Sequence, residues 1–353
     1  LFLLWNPTFV KIFNMRDNFP TKFILLCVLT TALLLSGSCK RCDDIEVIYP
    51  FGLFPDTVIN LEQVNTEYDD YNSSAPPSIN YRMALMFSSN RNTQGGKYSL
   101  IDYEVMLSFD QHAGTFGLYA SLGMYPFFYL TDLANSADNE FGPNTSKIGT
   151  EEYLTMFSSD RTGNMEIFVS YWTDRTFNGM SPLDPAPFRL QGVNSAKYDG
   201  YPTLSADHSE FYLCSNRDDN LDIYKIDIPE PDNLATWISL KDTIFPAEPV
   251  EILNSPAEDA CPYINGALLV FASKREGGYG GYDLYYSRLE DETWGEPINF
   301  GPDINTEYNE FRPIVMYAEL FENDLMIFSS DRPSGKGGYD LYYTGIPRMS
   351  IID

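Results

Sequence analysis

The chain has 353 residues, 44% of them hydrophobic, enough for one large domain or two ordinary ones. Its formal net charge of -27 leaves no basic footprint for a polyanion and argues against nucleic acid as a partner. The same excess of carboxylates suits solubility and cationic partners.

Residue 1 is leucine and the first methionine is Met15, so residues 1–14 read as upstream sequence outside the natural protein. From Met15 the pattern is that of a secretory signal over residues 15–38. Arg16 and Lys22 lie in a short charged region, followed by an apolar stretch from Phe23 to Leu35 that is too short to span a bilayer. The stretch ends in "LLLSGSC", which resembles the lipobox of bacterial lipoproteins, with Ser36 where the commonest pattern has leucine. That resemblance implies cleavage before Cys39, a lipid on Cys39, and a short tether over residues 39–45. An ordinary cleaved signal that contains a cysteine is the other reading. Of the remaining cysteines, Cys27 is lost with the signal and Cys42 forms "CKRC" with Cys39. Lipidation of Cys39 removes the redox or metal use of that pair. Cys214 and Cys261 fall in apolar, strand-like contexts and read as small core residues.

Downstream, one motif recurs five times, in "ALMFSSNRNTQGGKYSLI", "LTMFSSDRTGNMEIFVSYW", "FYLCSNRDDNLDIYKID", "LLVFASKREGGYGGYDLYYSR" and "LMIFSSDRPSGKGGYDLYYTG". Its arginines are Arg91, Arg161, Arg217, Arg275 and Arg332, spaced by 70, 56, 58 and 57 residues. A second signature precedes each copy and joins an asparagine to a proline 8 residues on. The pairs are Asn135 and Pro143, Asn194 and Pro202, Asn254 and Pro262, and Asn305 and Pro313, with a looser version from Asn65.

Each unit reads as four short strands. The first follows the proline, as in "RPIVMYAE", and the second is the apolar run ending in "MIFSSD". A turn rich in Gly, Asn or Asp leads to the third, "YDLYY" or "LDIYK". The fourth includes "TWGEPINF" in one unit and "ATWISL" in another. Lys336, set among glycines, invites comparison with a phosphate-binding loop, but Gly337, Gly338 and a strand follow it, with no Ser, Thr or helix. It belongs to a hairpin turn.

Four antiparallel strands per unit, repeated with Gly and aromatic punctuation, predict an all-β chain folded as a five-bladed β-propeller of four-stranded antiparallel blades. The alternative is six blades, yet the interval between Arg91 and Arg161 exceeds the usual spacing by too few residues for another blade. The last unit stops after its third strand, and "DTVINLEQVNTEY" before the first unit echoes "EPINFGPDINTEY" before the last. Residues 46–62 are therefore expected to complete the final blade, so that N- and C-terminal strands pair within one propeller domain over residues 46–353.

The motifs "INTEYNEFRP" and "FSSDRPSGKGGYDLYY" resemble WD40-like PD40 repeats of TolB-related propellers, above all those in envelope lipoproteins of Bacteroidetes-type bacteria. The resemblance covers residues 60–345. It implies a docking platform for other envelope proteins, and an outer-membrane lipoprotein facing the periplasm or the cell surface. No OmpA-type peptidoglycan-binding segment follows the repeats in this sequence.

The arginines are expected to bridge across each hairpin to a carboxylate in the third strand, Glu166, Asp222, Asp283 or Asp340, with Ser99 aligned there in the first unit. No arginine differs from its siblings, which marks the set as scaffold. The histidines are His112 and His208, in different units, and no G-x-S-x-G elbow occurs, so neither a Ser–His–Asp triad nor a zinc site is expected. Acidic loops such as "RDDNLD" and "NSADNE" lack EF-hand spacing, and their Asp and Asn are ordinary turn formers. No cofactor is called for.

Repeat-breaking sequence is the better place for function, and residues 100–134 break the repeat. The binding element is expected in "DQHAGTFGLYASLGMYPFF", as a long loop carrying His112, Phe116, Tyr119 and Tyr125. The function expected is that of a lipid-anchored envelope scaffold without catalytic residues. The alternative is a glycan-binding or glycan-hydrolysing propeller, for which a singular cluster of Asp and Glu in the central funnel is the mark.

Overall fold

The computed structural model describes residues 48–75, 82–123, 127–149, 152–173, 186–229, 234–240 and 243–349. The assignments made for residues 1–14, 15–38 and 39–45, with Cys39 and Cys42, lie outside them.

The described residues form five blades. Blade 1 runs β2 (Asp70–Ser74), β3 (Arg82–Ser89), β4 (Ser99–Asp110) and β5 (Thr115–Leu122). Helix α1 (Phe127–Ala134) leads to blade 2, which runs β6 (Glu140–Gly149), β7 (Glu152–Ser159), β8 (Glu166–Thr173) and β9 (Phe188–Arg189). Blade 3 runs β10 (Asp199–Leu204), β11 (Glu210–Ser215), β12 (Asp222–Asp227) and β13 (Glu248–Pro249), with α2 (Leu234–Ser239) before its last strand. Blade 4 holds β14 (Asp259–Asn265), β15 (Leu268–Ser273) and β16 (Asp283–Glu290), edged by β17 (Thr293–Trp294) and β18 (Ile298–Asn299). Blade 5 holds β19 (Glu310–Met316), β20 (Asp324–Ser330) and β21 (Asp340–Ile346). Its outer strand is β1 (Ile59–Asn60), so the closure expected from the sequence is present.

The first strand of each blade lines the axis, and these strands touch in order around a ring, β2 to β6, β10, β14, β19 and back to β2. The second strands are the apolar runs, and β20 is buried along its whole length. Covered on both faces, such a strand needs no polar alternation.

Two expectations change. "ATWISL" is not a fourth strand but lies in α2, because Leu234, Trp237 and Ile238 recur at helical spacing and bury one face, with Trp237 packed on Phe211. Residues 100–134 are not a loop either. They prolong blade 1 into the long β4–β5 hairpin, paired from Tyr103–Leu122 to Asp110–Thr115, and then form α1. Val105 and Leu107 bury their side chains while Met106 between them is exposed, the period of a strand.

Candidate functional site: the axial funnel

The repeated residues explain themselves first. In every blade a serine of the second strand lies directly opposite the acid that opens the inner strand: Ser89 and Asp70, Ser159 and Glu140, Ser215 and Asp199, Ser273 and Asp259, Ser330 and Glu310. The arginine two residues on folds back over that pair. Its Nε donates to the serine hydroxyl. Its guanidinium meets the inner acid at 2.5–2.9 Å. It also donates to the carbonyl before the signature asparagine.

The ion-pair partners are thus Asp70, Glu140, Asp199, Asp259 and Glu310, and not the third-strand acids. Glu166, Asp222, Asp283 and Asp340 lie across from the same serines on the opposite side. Their carboxylates turn elsewhere: Glu166 to Arg189 and Thr162, Asp222 to Asn220, Asp283 to the amides of Tyr279 and Gly280, and Asp340 to those of Lys336 and Gly337. The signature asparagines clasp the preceding blade. Asn65, Asn135, Asn194, Asn254 and Asn305 each accept from and donate to one backbone residue of its third strand, at 2.7–3.0 Å.

Between the inner acid and the proline the repeat stops repeating. The third residue of each inner strand is Asn72, Gly142, Tyr201, Cys261 or Arg312, and all five have positive φ, from 46° to 60°. Each sits in a register shift of the inner pair, so each blade carries a bulge at the same height. The side chains of Asn72, Tyr201, Cys261 and Arg312 are buried there. Arg312 is fully buried, donates from its Nη atoms to the carbonyls of Pro262 and Pro143, and lies over the Tyr201 ring at 5.6 Å. Its Nε and the Oδ1 of Asn72 have no hydrogen-bond partner among the described residues. Burial pulls the pKa of Arg312 down and pushes the thiol of Cys214, behind the plug, up to about 12. The thiol of Cys261 is raised too, again chiefly by burial. Such thiols pack as small hydrophobes.

On one side of the plug, aromatic side chains crowd the axis. Tyr71 stacks on Tyr339 at 5.2 Å, and Phe311 meets Tyr201 and Tyr282 edge-on. On the other side, past the prolines, the inner strands diverge around a cavity of about 360 Å3. Ser74, Asn144, Thr203 and Tyr263, the fifth residues of their strands, form its floor, and Lys147, His208 and Asn265 stand higher up. Asn144 Nδ2 donates to the Thr203 hydroxyl at 3.4 Å, and Asn265 Nδ2 is held by the Val315 carbonyl. Burial pushes the Tyr263 hydroxyl up to about 12, with Arg312 pulling the other way. Among the described residues the lining contains hydroxyls, amides, an imidazole and an ammonium, and no carboxylate.

Solved structures resemble this chain at low identity. An α-L-arabinofuranosidase from Podospora anserina, determined with cellotriose, is 12% identical, with 86% of this chain and 99% of that one covered and a TM-score of 0.48. A protein of unknown function from Dyadobacter fermentans is 9% identical over 83% of this chain and 82% of its own, at a TM-score of 0.47. TolB from Acinetobacter baumannii is 13% identical over 75% of this chain and 52% of its own, at a TM-score of 0.35. The likeness is one of fold. No family model and no curated protein matches the chain, so the resemblance to PD40 repeats rests on the repeated motifs themselves.

The expected binding element does not assemble as a surface loop. His112 sits in the exposed hairpin turn, where its backbone N–H donates to Asp110. Phe116 points inward, edge-on to Phe54 at 5.3 Å and against Phe321 and Tyr343, so it fastens the hairpin to the ring closure. Tyr119 is exposed on β5. Tyr125 lies outside the described residues. His208, set aside in the sequence as an isolated histidine, is the one that lines the cavity.

Proposed function

We propose that the protein binds a glycan in the funnel cavity. The observation that carries this reading is the lining: a concave site of about 360 Å3 whose walls present Ser, Thr and Asn side chains with Tyr263 in the floor. That volume and that scatter of fixed polar groups suit a small polar ligand, and hydroxyl-rich sugars match donors and acceptors of this kind. Hydrolysis by paired carboxyls needs two acids roughly 5–9.5 Å apart, and among the described residues the lining offers none. The acids that open the inner strands, Asp70, Glu140, Asp199, Asp259 and Glu310, are each engaged by an arginine. Binding is therefore the reading of this cavity, and release of reducing ends from a bound oligosaccharide would replace it with hydrolysis.

The test is titration calorimetry with a panel of oligosaccharides on the native chain and on Asn144→Leu with Thr203→Val. The double variant should lose binding and keep its melting temperature. Unchanged affinity in the variant would sink the assignment.

A second reading rests on blade 1. Met106 and Tyr119 are cross-strand neighbours, and both are exposed, as is Leu122 at the end of β5. An apolar edge of this kind suits docking of an envelope protein, and Tyr119→Ser with Leu122→Ser should abolish capture of such a partner. The envelope placement takes Cys39 as a lipid anchor. Metabolic labelling with a fatty-acid analogue checks it, because label retained in Cys39→Ser excludes Cys39 as the site.

A further inference from the structure

Five of the arginines along the inner ring, Arg91, Arg161, Arg217, Arg275 and Arg332, hold a carboxylate each. Arg312 does not. Among the described residues no carboxylate lies within ion-pair distance of it, and neutral proline carbonyls are what its Nη atoms reach. A guanidinium taken out of water without a counter-charge costs several kcal/mol, and the chain carries it at the centre of a protein of net charge -27. Its location matters. The two carbonyls belong to Pro143 and Pro262, and the next residues, Asn144 and Tyr263, are cavity floor. The cation therefore lies one residue layer beneath the cavity, where little water screens it. Above the floor stand Lys147 and His208, and among the described residues the lining has no carboxylate, Asp207 beside it being held by the Ser205 and Ser209 hydroxyls.

From this arrangement we infer that the ligand of the funnel is an anionic sugar, its charge a carboxylate or a sulfate, seated over Asn144 and Tyr263. The inference rests on the glycan-binding reading and narrows it. A neutral sugar would leave the buried guanidinium uncompensated. An anionic one supplies the missing charge in the place where the protein supplies none. The net charge of -27 repels anions at long range, so Lys147 in the lining also discriminates in favour of anions small enough to enter the funnel.

The experiment compares a trigalacturonate, its carboxyl-reduced trigalactose and a sulfated galactose trimer, each titrated into the full chain at 50 and 500 mM salt. The expected result is that at least one anionic trimer binds about tenfold tighter than the neutral one at low salt, the gap narrowing at high salt. Which anionic arm wins distinguishes carboxylate from sulfate. Lys147→Gln should weaken the anionic trimer about threefold more than it weakens the neutral one. Arg312→Met should erase the preference. Should that variant fail to fold, the Lys147→Gln and salt arms decide alone. Equal affinity for all three trimers overturns the anionic assignment and leaves glycan binding standing. Binding of none overturns both.

Discussion

A single arginine of the repeat shows how far one side chain reaches. Arg275 joins the Ser273 hydroxyl, the Leu253 carbonyl and Asp259, and its guanidinium lies 4.8 Å from the centre of the Tyr285 ring. Asp259 is fully buried. Removing the arginine strands that carboxylate, and breaking a buried pair on one side costs about 3–5 kcal/mol. Arg275→Met should lower the unfolding free energy by that amount in urea titration, whereas Lys197→Met, which breaks the exposed pair with Asp219, should cost less than about 1 kcal/mol. Equal costs would refute the latch. Acid should act through a different set of groups. Hydrogen bonds from Lys274 and then Tyr282 lower the pKa of Glu258. A carboxyl whose folded pKa lies below its unfolded value, about 4.3, adds stability that is present above that pH and lost as pH falls through the folded value. Glu258→Gln should therefore flatten the loss of stability between about pH 5 and 3, read from melting temperature against pH. An acid limb as steep as the native one would refute this.

The elements explain which parts of the sequence could be read. The second and third strands were legible because β20 and β21 are an apolar run and an aromatic run separated by a turn. The spacing from asparagine to proline was legible as a repeat, but its cause was not. An asparagine that bonds the backbone of the preceding blade leaves no local pattern. Asn305 shows its weight, being buried and bonded to both the N–H and the carbonyl of Leu284. Asn305→Ala leaves both groups unpaired, and at about 1–3 kcal/mol for each buried orphan the variant should unfold at clearly lower urea. A change below about 0.5 kcal/mol would mean that water replaces the clasp. The third-strand acids were misassigned for a related reason, since each lies opposite the same serine as the true partner, on the other side of the second strand. The residues that fill the funnel were not legible because their signal is disagreement between copies. Asn72, Gly142, Tyr201, Cys261 and Arg312 differ in type and share only a bulge. Residues 100–134 interrupt the repeat far more visibly, yet they hold two strands and a helix.

At the scale of the whole ring the question is what holds it shut, since closure depends on a strap that is continuous in sequence with blade 1 and paired with blade 5. Ile59 and Asn60 pair with Tyr343 and Tyr342, Leu61 N–H donates to the Leu341 carbonyl, and Phe54 stacks on Phe321 at 3.9 Å. Asn323 accepts from the Phe54 N–H and donates to its carbonyl, and Lys336 reaches back to the carbonyls of Glu62 and Asn65. The opening glycines of the last hairpin share in this closure. A Cβ on Gly337 would collide with the Tyr68 carbonyl, so the turn must be bare where blade 1 crosses it. Phe54 and Leu61 are both buried, and full burial of such side chains is worth about 1.5–3 kcal/mol each. A chain that begins at Tyr49 should therefore melt like the native protein. One that begins at Glu62 loses both anchors and leaves the backbone of β21 unpaired, an open edge that invites pairing with another copy. It should unfold several kcal/mol more easily and sediment as concentration-dependent oligomers. Equal melting temperatures for the two truncations, with both monomeric, would show that the ring closes without its strap.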